Sequence, residues 1–188
     1  MKKIELSVDV MFVNNISFVI SLGKNMNFTT IENVVDRKAA TLLKSLRSIK
    51  SVYTSKNIFI KNIFMENEFE ALGDDFREEE LNLNTTAVNK HIPQIERQIK
   101  AVKEQFHSTW NSLPYQKFPN RIISRMVENT VFWINALPIN SCMSSTISPR
   151  MLTIGTTINF RKHWKMEFGA YAEAHEKTFP QNSAQSCT

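Results

Sequence analysis

Three acidic residues give this sequence its clearest chemical signal. Asp9 lies inside an apolar run, Glu66 directly follows the apolar run 57–65, and Glu96 lies in an amphipathic segment that begins at Pro93. Carboxylates on neighbouring elements can hold two divalent cations, which neutralise the attacking and leaving oxygens of a phosphodiester. Protein sites for Mg²⁺ usually supply one or two carboxylates, and phosphates and waters complete the shell. The sequence therefore predicts a site for Mg²⁺ or Mn²⁺ formed by Asp9, Glu66 and Glu96.

Each of these acids also has a structural interpretation. An unpaired charge inside an apolar strand is costly, so the position of Asp9 favours a functional role. Glu66 is placed at a strand–loop junction, where a solvated glutamate is common. Glu96 could pair with Lys100 across one turn of an exposed helix. The site interpretation therefore depends on whether folding brings the three carboxylates together.

A stripe of charged residues follows the third acid at helical spacing. Glu96, Lys100, Lys103 and His107 recur on one side of the predicted helix, beside its apolar face. Cations in such a row can contact successive phosphates of a nucleic acid. A solvated helix face explains the same pattern equally well. The formal charge of +5 permits binding to a polyanion without establishing it.

Composition excludes several other classes of protein. The 188 residues suit one domain, and no apolar run approaches the roughly 18 residues that suggest a membrane span. Glu5 and Asp9 interrupt the apolar start of the chain, so we expect a first β-strand and an intracellular protein. Cys142 and Cys187 are far apart, which predicts free thiols rather than a disulfide. The four histidines have no zinc-site spacing with them, so no zinc is expected.

Alternating apolar residues predict three strands at the start of the chain. Residues 4–13 place Ile4, Leu6, Val8, Val10 and Phe12 on one face. Asn14-Asn15 suits a hairpin turn because asparagine tolerates positive φ. The order of the first elements predicts an antiparallel meander with strands at 4–13, 16–22 and 26–31.

The apolar period then changes to that of a helix, from Val35 to Ile49, with Asp36 or Asn33 as its cap. The later elements alternate between strand and helix periods. They are a strand at 57–65, a short helix at 69–76, a short strand at 81–85, long helices from Pro93 and Phe118, a helical turn after Pro149 and a final strand at 165–172.

This order predicts an α/β fold of the ribonuclease H-like type. Its mixed five-stranded sheet begins with the three-strand antiparallel meander and is flanked by helices. We expect residues 1–137 to form the core domain, residues 138–176 to extend it, and residues 177–188 to be a disordered tail.

Several short stretches resemble the integrase catalytic core of Ty1/copia-type retrotransposons, a retroviral-integrase-like family. They occur in the family's order and together span most of the chain. The matching stretches are Leu6–Asn14, Phe64–Glu70, Pro93–Glu104, Val131–Asn135, Ser148–Pro149 and Glu167–Tyr171.

The resemblance implies an Asp, Asp, Glu active site that carries out Mg²⁺-dependent 3′-end processing and strand transfer of DNA. Asp9 and Glu96 match the first and third acids, whereas Glu66 stands where the family has Asp. Arg97, Lys100 and Lys103 would contact phosphates. The resemblance further implies DNA ends and target DNA as partners, a homo-oligomer, and a nuclear location.

Two alternatives to an active integrase remain open. Glu66, together with the expectation that no zinc module of the family precedes Asp9, favours a catalytically inactive nucleic-acid-binding or assembly fragment of a decayed element. A ribonuclease H-like nuclease that cuts RNA–DNA hybrids is the other alternative.

Overall fold

The computed structural model describes residues 2–65, 82–85, 92–139, 144–163 and 165–170. Strands dominate the first part of the chain and helices the second. The strands are β1 (Lys2–Val13), β2 (Ile16–Gly23), β3 (Phe28–Val34), β4 (Ile58–Met65) and β5 (Asn82–Thr85). The helices are α1 (Ala39–Thr54), α2 (Pro93–Ser112), α3 (Asn120–Ala136), α4 (Pro149–Ile154) and α5 (Phe160–His163).

The sheet is mixed, and its order is β3-β2-β1-β4-β5. β1, β2 and β3 pair in antiparallel fashion, whereas β4 pairs with β1, and β5 with β4, in parallel. Asn14 and Asn15 connect β1 to β2 with φ angles of 47° and 63°. The prediction of a mixed α/β sheet that begins with an antiparallel meander and is flanked by helices is confirmed.

Apolar side chains form two cores, one on each face of the sheet. The first core joins β1, β2 and β4 to α1 and includes Leu6, Val8 and Ile49. The second core joins β1 and β2 to α2 and α3 and includes Met11 and Phe106. Each fully buried side chain of this size contributes about 1.5–3 kcal/mol. β1 therefore supplies both cores, with alternate residues on opposite faces.

A buried amide fastens α3 to the sheet. Asn135 Oδ1 accepts a hydrogen bond of 2.9 Å from the backbone nitrogen of Thr29, and its Nδ2 donates one of 2.7 Å to the Thr29 carbonyl oxygen. Asn33 Nδ2 donates to Ser124 Oγ at 2.7 Å nearer the start of the helix. These polar contacts fix how α3 lies along β3, which apolar packing alone specifies less strictly.

The first helix begins later than its apolar period predicts. α1 starts at Ala39, and Val35 lies before it with 98% of its surface exposed. The predicted caps are wrong, since Lys38 occupies the cap position and Asn33 belongs to β3. Asp36 instead accepts hydrogen bonds from the Thr41 hydroxyl, at 2.6 Å, and the Lys38 backbone nitrogen. The Thr41 hydrogen bond lowers the pKa of the Asp36 carboxyl.

The predicted helical turn after Pro149 is present as α4. Ser148 caps it by accepting a hydrogen bond from the Met151 nitrogen, and Gly155 ends it in the left-handed conformation. The predicted strand at 165–172 is wrong over 165–170, which form bends and a turn. Gly169 lies there with φ 83°, which breaks an extended backbone.

Other predicted features lie outside the described residues. They are the short helix at 69–76 and the tail at 177–188. The predicted boundary at residue 137, between the core domain and its extension, stays a prediction. A hydrogen bond crosses it, since Thr153 of α4 donates to Met26 Sδ at 3.5 Å. Among the helices described, none is long and apolar enough to cross a membrane.

Candidate active site

Asp9 lies near the middle of β1, just beyond the end of its pairing with β4. The last pair of that parallel register is Val8 with Met65. On the other side of β1, Asp9 pairs with Ile20, which belongs to the second core. Cross-strand partners share a face, so Asp9 faces the side of the sheet that α2 covers. The side chain is half-buried, and its Oδ1 accepts a hydrogen bond of 2.6 Å from the Val10 nitrogen.

Glu96 lies in the first turn of α2, which begins at Pro93 after the cap residue Ile92. Proline suits this position because its missing N–H would have no partner within the helix. Ile95 is fully buried in the second core and anchors the turn, whereas Glu96 is exposed. A carboxylate is favourable at a helix N-terminus because the helix dipole is positive there.

The two acids line one cleft of about 490 Å³ between β1 and α2. We call it the acid cleft. Its lining residues are Asp9, Val10, Met11, Phe12, Glu96, Ile99, Lys100, Lys103, Glu104 and His107. Folding thus brings together two residues that are far apart in the sequence, as the site interpretation requires.

Cations share this cleft with the acids. Lys100, Lys103 and His107 line it together with Glu96, as their helical spacing predicts. Lys100 Nζ lies 3.8 Å from Glu104 Oε1, one turn further along the helix. Lys103 is half-buried, whereas Lys100 and His107 are exposed. The cleft can therefore present carboxylates to a cation and ammonium groups to phosphates.

Arg97 does not line the acid cleft. It lines a second cleft of about 340 Å³, which we call the amide cleft. The residues of the amide cleft are Leu22, Lys24, Asn25, Asn27, Gln94, Arg97, Gln98 and Ile139. The Arg97 Nε also donates to the Pro93 carbonyl oxygen at 3.1 Å. The structure thus separates Arg97 from Lys100 and Lys103, and the prediction that all three contact the same phosphates is not supported by their placement.

Glu66, the second predicted acid, lies outside the described residues. In the part of the chain that the structure describes, no group of three or more histidine, cysteine or acidic residues could hold a metal ion. Asp9 and Glu96 nevertheless supply oxygen donors, which Mg²⁺ prefers, and one or two carboxylates are its usual protein complement. The two described acids therefore fit a hard divalent cation that has substrate oxygens as further ligands.

Two features of the cleft were not anticipated from the sequence. Glu104 lines it beside Lys100. Phe12 also lines it and has 44% of its surface exposed, although strand alternation predicts it on a buried face. The Arg37 guanidinium lies over the Phe12 ring, 5.5 Å from its centroid.

Neither a known protein family nor a curated protein matches the sequence. Among solved structures, the fold is similar to the catalytic core domain of BIV integrase. The match has a TM-score of 0.61 and covers 86% of this chain and 97% of that one, at 11% sequence identity. The chain thus has the fold of a retroviral integrase catalytic core, which confirms the integrase-like α/β class predicted from the sequence.

Proposed function

We propose that this chain is the catalytic core of a retrotransposon integrase of the Ty1/copia type. It would process the 3′ ends of the element's DNA and join them to target DNA, with Mg²⁺ or Mn²⁺ as cofactor. The observation that carries the proposal is the meeting of Asp9 from β1 and Glu96 from α2 in one cleft. The similarity of the fold to the BIV integrase catalytic core supports it.

Asp9, Glu66 and Glu96 would hold the metal ions. Glu66 follows Met65 in the sequence, and Met65 pairs with Val8, the residue before Asp9. This register supports Glu66 as the residue that supplies the third carboxylate. Bound in pairs, such ions neutralise the attacking and leaving oxygens of a phosphodiester.

The cations of the acid cleft would position the DNA. Lys100 and Lys103 lie on the same side of α2 as Glu96 and would contact phosphates that flank the reacting one. Lys100 would exchange its contact with Glu104 for a phosphate oxygen, because an exposed ion pair of this kind contributes little stability. Arg97 would contact phosphates only where the DNA also reaches the amide cleft.

The reaction has two steps of the same kind. In 3′-end processing, a water oxygen bonds to phosphorus and a 3′-oxygen leaves as the hydroxyl. In strand transfer, that 3′-hydroxyl attacks a phosphodiester of the target, whose own 3′-oxygen leaves. Asp9 and Glu96 would orient the reacting groups in both steps, and such orientation supplies much of a catalyst's effect. Element ends and target DNA are thus the proposed partners of a homo-oligomer acting in the nucleus.

The direct test is Mg²⁺-dependent joining of a labelled terminal-repeat oligonucleotide, with metal binding measured separately by calorimetry. We expect joining by the native chain and stronger joining by Glu66→Asp, which restores the residue that the family resemblance implies. Absence of both metal binding and joining in Glu66→Asp would sink the proposal of an active enzyme.

The second candidate is a catalytically inactive nucleic-acid-binding or assembly fragment with the same fold. Glu66 favours it, since one added methylene displaces a carboxylate, and a misplacement of about 1 Å can cost on the order of 100-fold in rate. Titration with Mg²⁺ or Mn²⁺ separates the candidates, because this fragment would bind DNA without responding to either metal. Cleavage of RNA–DNA hybrids in preference to duplex DNA would instead indicate a ribonuclease H-like nuclease.

A further inference from the structure

We propose that Glu104 sets the affinity of the acid cleft for nucleic acid, because its carboxylate competes with phosphate for the ammonium group of Lys100. This inference rests on the proposed function, since it requires that the acid cleft bind nucleic acid. It adds that the cleft carries a residue that weakens this binding, so that DNA is held less tightly than Lys100 and Lys103 alone would hold it.

Glu104 lies more than two helical turns beyond Glu96 on α2. Eight positions of an α-helix span about 12 Å, whereas side-chain neighbours on one helix face are three or four positions apart. The neighbours of Glu104 in the acid cleft are therefore Lys100 and His107, and Glu96 is not among them. The Glu104 carboxylate thus belongs to the part of the cleft that would bind phosphate rather than to the proposed metal site.

The contact between Glu104 and Lys100 is a weak ion pair. Glu104 Oε1 lies 3.8 Å from Lys100 Nζ, and the side chains are 68% and 76% exposed. A carboxylate oxygen and a phosphate oxygen are both anionic acceptors, so they compete for the same ammonium hydrogens. Because the carboxylate is present in the free protein, it must be displaced before Lys100 contacts DNA.

The stability of α2 does not explain the position of Glu104. The more favourable order of an ion pair across one turn places the acid before the base, whereas here Lys100 precedes Glu104. The helix dipole favours an acid in the first turn, whereas Glu104 lies near the middle of the helix. The main effect of this carboxylate is therefore expected in binding rather than in folding.

Lys103 provides a comparison within the same cleft. It lines the acid cleft beside Glu104 and is half-buried. Consecutive residues of an α-helix are rotated by about 100°, so the side chains of Lys103 and Glu104 do not face each other. Glu104 should therefore act on phosphate binding through Lys100 and not through Lys103.

A double-mutant cycle tests this inference through binding alone. Native protein, Glu104→Gln, Lys100→Ala and the double variant are titrated with a labelled terminal-repeat duplex by fluorescence anisotropy, without a divalent cation so that no joining occurs. We expect Glu104→Gln to tighten binding about threefold in the native background, which is the effect of one exposed ion pair. In the Lys100→Ala background the same change should have little effect, because the group for which Glu104 competes is absent.

Two matched controls separate this mechanism from a general effect of charge. In the Lys103→Ala background, Glu104→Gln should still tighten binding about threefold, since Lys100 is present. Glu128→Gln removes an acid that pairs with Arg125 outside the acid cleft, and it should leave the affinity unchanged. Thermal melting of each variant excludes loss of the fold as the cause.

The inference is overturned if Glu104→Gln leaves the affinity unchanged, or if it tightens binding equally with and without Lys100. A gain of the same size in Glu128→Gln also overturns it, because net charge then explains the effect. Each of these results leaves the proposed function intact, since the native protein still binds the duplex. Native protein that binds no duplex overturns the proposed function as well.

Discussion

The acid cleft and the amide cleft lie on different sides of the same helix and differ in what they offer a ligand. Glu96, Lys100 and Lys103 of α2 line the first, whereas Gln94, Arg97 and Gln98 line the second. Each residue of an α-helix is rotated about 100° from the last, so neighbours in sequence such as 96 and 97 point into different surroundings. A basic run after an acid therefore does not define one binding surface until the helix faces are known.

The cations of the two clefts also differ in their contacts. Lys24 of the amide cleft forms an ion pair of 2.7 Å with Glu5, and Arg97 donates to a backbone carbonyl of its own helix. In the acid cleft, Lys100 lies 3.8 Å from Glu104, a longer contact between two exposed side chains. Exchange of the present partner for a phosphate oxygen therefore costs less free energy in the acid cleft.

The largest effect is expected from the acids themselves. Asp9→Asn or Glu96→Gln should lower the rate of DNA joining by at least about 100-fold, because each removes a charged oxygen that would orient the reacting groups. The measurement is a single-turnover joining assay at saturating Mg²⁺. Glu128→Gln is the control, since this acid pairs with Arg125 on α3 and lies outside both clefts. Equal loss in the control would point to a general effect of charge.

The next largest effect is expected on DNA binding, and it should distinguish Lys100 and Lys103 from Arg97. Replacing Lys100 and Lys103 together by alanine should weaken DNA binding and reduce the slope of log affinity against log salt by about 1.8, or about 0.9 for each lost phosphate contact. Arg97→Ala should change that slope much less. A similar change in both variants would mean that DNA crosses α2 and reaches the amide cleft.

Replacing a polar side chain by an apolar one should leave DNA joining intact in the amide cleft, unlike the replacement of an acid in the acid cleft. Gln98 Nε2 is buried and has no hydrogen-bond partner among the described residues. Gln98→Met should therefore stabilise the protein by about 1 kcal/mol, because an unsatisfied donor is removed, and raise Tm by about 2–4 °C. Differential scanning calorimetry measures the shift, and joining should be unaffected. A lower Tm would show that the amide has a partner in solution.

The smallest effect concerns the ion pair beside the amide cleft. The hydrogen bond from Lys24 lowers the pKa of Glu5 below its usual 4.5. A lowered folded-state pKa stabilises the protein above the unfolded-state pKa, and the stabilisation is lost as pH falls through the folded value. Glu5→Gln should therefore lose about 0.5 kcal/mol or less at neutral pH, and nothing at strongly acidic pH. Urea unfolding at both pH values checks the sign.

Local patterns in the sequence predicted the meander and the placement of two of the acids. The alternation in β1 and the asparagines at positions 14 and 15 define the first hairpin without reference to the rest of the chain. Pro93 and the apolar period that follows it define α2 and place Glu96 in its first turn. These features are encoded within a few residues, which is why they could be predicted.

Features that depend on distant neighbours could not be predicted in this way. The separation of Arg97 from Lys100 follows from how α2 lies on the sheet. Val35 continues the helical period but precedes α1, because a period does not specify the first residue of a helix. The role of Glu66 stays a prediction, since it lies outside the described residues.

The two hydrogen bonds between Asn135 and Thr29 set a limit on how this chain can be shortened. A fragment that stops before residue 135 would leave a buried N–H and a buried carbonyl of β3 without partners. That loss would cost roughly 2–6 kcal/mol, against a typical total stability of about 5–15 kcal/mol. Cloning boundaries chosen around Asp9 and Glu96 alone would therefore yield a destabilised fragment, and we expect a stable piece to extend beyond the end of α3.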